Sequence, residues 1–153
     1  GERNQKIVMT ISSLGFVALL AVPGLDHRFS WSRMPQSIVL LGDLLFLAGW
    51  FGILAVFRTN SFAAATIQVA SDQKVISTGP YAIVRHPMYG AALLMLLGIP
   101  IGLGSWWGIL VWLFLLPALA WRLADEERVL VRDLGGYAEY RLRVRYRLIP
   151  YVW

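Results

Sequence analysis

The stretch Ser77-Thr78-Gly79-Pro80-Tyr81-Ala82-Ile83-Val84-Arg85-His86-Pro87-Met88-Tyr89-Gly90 lies between strongly apolar segments and decides how the chain is read. Gly79-Pro80 interrupts regular structure, and Pro87 suits the first position of a helix, where its missing N–H costs nothing. That places His86 at or beside the helix N-cap. Backbone N–H groups left unpaired at such an end favour an electron-rich or carboxylate-bearing ligand. The competing reading is a polar loop joining two membrane helices, with His86 hydrogen-bonded locally, and spacing alone does not separate the two.

Working outward, 58% of the 153 residues are hydrophobic and only 15% are charged. With a mean hydropathy of +0.60, the chain is far more apolar than a soluble domain of this length requires, so it reads as an integral membrane protein. There is no cysteine, which excludes disulfides, thiolate metal sites and a cysteine nucleophile, and the two histidines, His27 and His86, are too few for a histidine-rich metal centre. No metal is expected. The net charge of +5 comes from basic residues flanking membrane segments, where anionic headgroups and topology account for it, so no nucleic-acid role is assigned. Gly1-Glu2-Arg3-Asn4 carries no initiator Met and reads as the start of a processed or partial chain, with room for a further membrane helix upstream.

Apolar stretches run from Ile7 to Leu25, Ser37 to Phe57, Met88 to Leu103 and Trp106 to Leu123. At roughly 16 to 21 residues each they measure about 24 to 32 Å, close to the hydrocarbon thickness, the third with little to spare. The expected fold is therefore all-α: one integral membrane helical bundle over 1–153 with about four transmembrane helices, a cofactor-binding loop and a C-terminal tail. Only Gly104-Ser105 separates the last two stretches, which predicts a tight antiparallel hairpin, with Gly90, Gly98 and Gly102 permitting close helix contact. Pro100 is expected to kink the third span. Of the 14 Lys and Arg residues, Arg28 and Arg33 lie in the first loop and the rest at the N-terminus, in the 58–87 loop or from Arg122 onward. The positive-inside rule thus puts both ends and the motif loop in the cytoplasm. Asp43 falls near the outer end of the second span, where interfacial solvation explains it better than an intramembrane function. Trp31, Trp106, Trp107 and Trp121 sit near span ends, as an aromatic belt would.

The last span runs on into Arg122-Leu123-Ala124-Asp125-Glu126-Glu127-Arg128, and i,i+4 spacing puts Arg122 and Glu126 on one helix face. A cation and a carboxylate there can serve two ligands, although a solvated salt-bridge ladder at a helix exit has the same appearance. Further on, Tyr137, Tyr140, Arg141, Arg143, Arg145 and Arg147 alternate with apolar residues before Leu148-Ile149-Pro150. That tail reads as a surface-lying, lipid-contacting segment or a lid over the motif loop.

Taken in order, Gly79-Pro80-Tyr81, Arg85-His86-Pro87-Met88-Tyr89, a helical hairpin, Asp125-Glu126-Glu127, and Gly136-Tyr137-Ala138-Glu139-Tyr140 closing on Ile149-Pro150 resemble the isoprenylcysteine carboxyl methyltransferase family. That family includes many bacterial homologues and is more distantly similar to the phospholipid N-methyltransferases. The resemblance covers the motif region, residues 60–153. It implies a membrane enzyme, bacterial and of the inner membrane, that uses S-adenosyl-L-methionine and a lipid-like acceptor reaching it from the bilayer. The cofactor contacts it implies fall on Gln73, Lys74, Val75, Ile76, Tyr81, His86, Pro87, Met88, Tyr89 and Glu126, with Gly79 allowing close backbone approach. The acceptor-orienting arginine falls on Arg122, so Arg122 and Glu126 are the expected catalytic pair. Gln73 stands where eukaryotic members commonly have His, and the Leu134-Gly135-Gly136 turn is shorter than theirs. The first two spans carry no diagnostic match.

Methyl transfer from a sulfonium is an in-line displacement, so alignment, water exclusion and charge control are the protein's main contributions. A carboxylate acceptor is ionised at neutral pH and needs no general base. An amine acceptor would need one, and only Glu126, Glu127 and His86 offer it. The expectation is a methyltransferase acting on a carboxylate such as that of an isoprenylcysteine. The alternatives are a phospholipid N-methyltransferase, a nicotinamide-dependent membrane reductase and a non-catalytic membrane scaffold.

Overall fold

The structure, a computed structural model, describes residues 2–60 and 74–153, with side chains at position 7 and from position 9 onward. Helices α1 (Glu2–Phe29), α2 (Gln36–Thr59), α3 (Pro87–Gly102), α4 (Trp106–Asp133) and α5 (Tyr137–Arg143) follow one another, with a 3₁₀ turn at Gly79–Ala82 before α3. No strand occurs among the described residues. Among the described residues, three helices contain stretches long and apolar enough to cross a membrane, Met9–Phe29, Gln36–Thr59 and Trp106–Asp133, whereas α3 is apolar but shorter. Its 16 residues reach only about 24 Å, short of a full hydrocarbon core. The chain is an all-helical integral membrane protein, and packing divides it into two compact units, residues 1–49 with 93–122, and residues 50–92 with 123–153.

In the first unit the hairpin forms where Gly104-Ser105 predicted it. Gly104 takes φ +72°, a conformation that suits glycine because it has no Cβ to clash. Leu103 and Gly104 donate back to Ile99 and Ile101, and Ser105 to Pro100. Trp112 Nε1 then donates to the Leu93 carbonyl at 3.1 Å, joining the two arms. The predicted close helix contact has a different partner from the one expected. A side chain at Gly98 would strike the α2 backbone at Gly42 and Phe46, and one at Gly102 would strike Asp43. These small residues therefore seat α3 on α2, because a helix surface without Cβ atoms admits a neighbouring backbone. Among the described residues, a Cβ at Gly90 would meet only the Leu148 carbonyl of the tail, at 3.6 Å. Asp43 is exposed, as are Trp31, Trp106, Trp107 and Trp121.

Asp26, which no sequence motif announces, organises the end of α1. Its carboxylate is buried and accepts from the Ser32 amide at 2.7 Å, the Ser32 hydroxyl at 2.6 Å and the Ser105 hydroxyl at 2.5 Å. Ser105 Oγ in turn accepts from the Gly108 amide at 3.0 Å. A buried carboxylate is costly unless it is hydrogen-bonded, and here those donors tie the α1–α2 loop to the hairpin turn.

The second unit holds the motif loop. Leu134, Tyr137, Tyr140 and Val144 form its buried cluster, with Val75 and Leu130 packed against them. Gly136, at φ +82°, caps the start of α5 in the left-handed region. The tail lies over the motif loop, because Arg85 N–H donates to the Tyr146 carbonyl and His86 N–H to the Arg147 carbonyl, both at 2.9 Å. These bonds cover the motif loop as a lid would, while Ile149, Tyr151, Val152 and Trp153 on the outer side stay exposed.

Candidate active site

Pro87 opens α3, as its ring geometry predicts. The helix start is less open to an anion than the sequence suggested, since the His86 amide is taken by the Arg147 carbonyl and the Gly90 amide closes on the His86 carbonyl at 3.3 Å. What remains is a side-chain site. Tyr89 follows His86 within the first turn of α3, and their rings meet edge to face with centroids 5.9 Å apart. The Tyr89 hydroxyl donates to Glu126 Oε2 at 2.5 Å. His86 Nδ1 lies 3.9 Å from Glu126 Oε1, and the Glu126 side chain keeps 26% of its surface exposed. Arg122, one turn earlier on α4 and on the Glu126 face by helical period, is half-buried.

Behind this wall stands a charged network that sequence reasoning missed. Glu127 is buried and receives Arg85 Nε at 2.7 Å and Arg147 Nε at 2.9 Å. Arg85 Nη1 also donates to the Val144 carbonyl at 2.9 Å and the Arg145 carbonyl at 2.8 Å. One guanidinium fork thus joins α4, the motif loop and the tail, a geometry that lysine's single ammonium cannot reproduce. His86 Nε2 approaches Glu127 Oε1 to 3.4 Å, an ion-pair contact, and has no closer hydrogen-bond partner among the described residues. The buried Tyr137 hydroxyl also lacks one. Arg85 and Glu127 stand in the quoted motifs and Arg147 in the tail, but nothing local pairs them, because their partners lie 42, 20 and 59 or more residues away.

Tyr81 sits on the 3₁₀ turn, its hydroxyl accepting from Asn60 Nδ2 at 2.9 Å and its carbonyl accepting from the Tyr140 hydroxyl at 2.7 Å. Burial raises the Tyr81 hydroxyl above its ordinary pKa, opposed by the Asn60 hydrogen bond and aided by the Glu126 charge. Burial likewise pushes Tyr140 up to about 12, and pushes Tyr137 up further, with Glu127 adding to the effect. Gly79 takes φ +57°, with space for a Cβ only 3.1 Å from the Thr59 side chain. Among the remaining expected contacts, Pro87 is buried, Met88 and Ile76 are half-buried and Lys74 is exposed. The Val75 side chain faces the hydrophobic cluster, leaving its backbone as the part able to touch a ligand. Gln73 lies outside the described residues.

Membrane-spanning helices and a partly open carboxylate, tyrosine and histidine backed by buried ion pairs define an all-α membrane protein whose polar side chains gather where the start of α3 meets α4. The chain belongs to the phospholipid methyltransferase family, whose pattern matches residues 37–135. It is similar to Protein-S-isoprenylcysteine O-methyltransferase B of Arabidopsis thaliana, with 26% identity over 152 residues that cover 94% of this chain and 72% of the plant protein. It is also similar to Delta(14)-sterol reductase TM7SF2 of Mus musculus, 34% identical over 91 residues covering 58% of this chain. The chain spans only 22% of the mouse reductase's length. Family and plant relative together point to a membrane methyltransferase.

Proposed function

We propose that the chain is an integral membrane methyltransferase that takes its methyl group from S-adenosyl-L-methionine and places it on the carboxylate of a lipid-like acceptor such as an isoprenylcysteine. We assign the site to the cytoplasmic face of a bacterial inner membrane on the basis of the basic residues that surround it. The observation that carries the reading is the convergence of His86, just before α3, and Tyr89, in its first turn, on Glu126 from α4. These residues fit the cofactor. A half-exposed carboxylate steadied by a tyrosine hydroxyl can accept from ribose hydroxyls or an ammonium group, and His86 Nδ1, 3.9 Å from Glu126 Oε1, adds a polar ring atom on the same side. When bound, the cofactor supplies an electrophilic methyl group. Arg122 then holds the acceptor carboxylate through its planar fork, and ionised at neutral pH that carboxylate needs no base. The likeness to the mouse protein supports a second reading, a sterol-reductase-like activity.

Calorimetric titration with S-adenosylhomocysteine in detergent tests the cofactor. Binding is expected, weakened about tenfold or more by His86→Ala and by Glu126→Gln through loss of charge-assisted hydrogen bonds, and unchanged by Glu139→Gln on the exposed face of α5. Absence of binding, with binding of a reduced nicotinamide nucleotide instead, would move the chain to the second reading. A screen of prenylated cysteine analogues, fatty acids and aminophospholipids with methyl-labelled cofactor identifies the acceptor. On that acceptor Arg122→Lys should lower turnover more than cofactor affinity. Equal losses would remove Arg122 from the acceptor clamp.

A further inference from the structure

The tail extends beyond the residues 37–135 that the family pattern covers, and it carries a surface that methyl transfer does not use. Arg147 gives its Nε–H to buried Glu127 at 2.9 Å, and its guanidinium carbon lies 5.2 Å from the Trp153 ring centroid. No described residue accepts from its two terminal nitrogens, and the side chain is 36% exposed against 5% for Glu127. A guanidinium anchored from behind by a carboxylate and laid on an indole keeps its outer fork pre-organised for an oxyanion. Around it Arg145 is exposed, as are Ile149, Tyr151 at 88%, Val152 at 74% and Trp153. Arginine beside exposed aromatic and aliphatic side chains is the composition of a membrane interface.

Depth supports the same occupant. Glu127 lies one turn, about 6 Å, past Leu123, where the apolar run of α4 ends. The headgroup layer on each side of a bilayer is about 5 to 7 Å thick. With the hydrocarbon edge at Leu123, Arg147, pinned to Glu127, falls at the level of lipid phosphates, and it shares that one carboxylate with Arg85. We propose that residues 145–153 form a docking surface for an anionic phospholipid headgroup, with the outer fork of Arg147 on the phosphate oxygens and Ile149, Tyr151, Val152 and Trp153 in the interfacial layer. The site does not depend on which reaction the chain catalyses.

The test is equilibrium binding of acyl-labelled phosphatidylglycerol to the full chain in neutral detergent, with identically labelled phosphatidylcholine alongside. Phosphatidylglycerol should bind more tightly. Arg147→Gln should weaken it by roughly tenfold, the scale of one charge-assisted pair, and leave phosphatidylcholine unchanged. Arg132→Gln, which removes an exposed arginine already paired with Asp133, should change neither. Equal affinity for the two lipids, an equal loss in Arg132→Gln, or full displacement by excess inorganic phosphate would each overturn the proposal. Should Arg147→Gln fail to fold, the double variant Arg145→Gln, Tyr151→Ser leaves the Glu127 network intact and should still cost several-fold. Undiminished affinity in that variant would equally reject the surface.

Discussion

Replacing Arg85 by methionine keeps the stem's volume and removes the guanidinium that joins three segments of the second unit. The change leaves buried Glu127 with Arg147 as its remaining hydrogen-bonded cation and strips a donor from the carbonyls of Val144 and Arg145. Breaking a buried ion pair on one side costs about 3 to 5 kcal/mol, because the surviving charge stays desolvated. The two carbonyls add about 1 kcal/mol or more between them unless water reaches them. A loss of about 4 kcal/mol corresponds to a fall of roughly 8 to 16 °C in the unfolding midpoint of a chain this size. Removing both charges in Arg85→Met, Glu127→Leu should recover about half of that loss, since the buried carboxylate, left with Arg147 alone, goes with its partner. The assay is thermal unfolding in detergent followed by tryptophan fluorescence, with S-adenosylhomocysteine affinity measured below the transition. A loss under about 1 kcal/mol in the single variant, or additivity in the double, would refute the view that this pair fastens the tail to the motif loop.

Further outcomes follow from single positions. Gly79→Ala should cost about 1 to 2 kcal/mol, because alanine is strained at φ +57° and its methyl would crowd Thr59; a neutral result in thermal unfolding would contradict the turn geometry. Tyr137→Phe should be neutral or stabilising in the same assay, since the buried hydroxyl it removes has no hydrogen-bond partner. Stability should depend on alkaline pH through the buried tyrosines. Unfolded tyrosine ionises near 10 while folded Tyr140 holds its proton to about 12, so the unfolded chain loses protons first and stability is full below pH 10 and lost as pH rises toward 12. Tyr137→Phe should make that fall shallower, and an identical pH profile for both proteins would count against Tyr137's share. Cysteines placed at the exposed Ser30 and Ser77 should be labelled from opposite sides of the membrane, and same-side labelling would overturn the orientation drawn from the basic loops.

The positions of the four apolar helices, the turn at Gly104-Ser105 and the opening of α3 at Pro87 were determined by the sequence alone, because each depends on neighbours within a few residues: apolar run length, a proline's missing donor, a glycine's freedom. His86, Tyr89 and Glu126 were legible as a group only through order and spacing along the chain, and their convergence needed the fold. The i,i+4 spacing from Arg122 singled out Glu126, but not that Glu127 beside it is sealed among arginines, since adjacent helical residues diverge by about 100° and only packing says which direction is inside. The seating of Gly98 and Gly102 on α2, the Asp26 knot with Ser32 and Ser105, and the Arg85, Glu127 and Arg147 network were decided by tertiary structure. Each joins residues distant in the chain, and charged groups are kept in the interior only when such distant partners arrive to satisfy them.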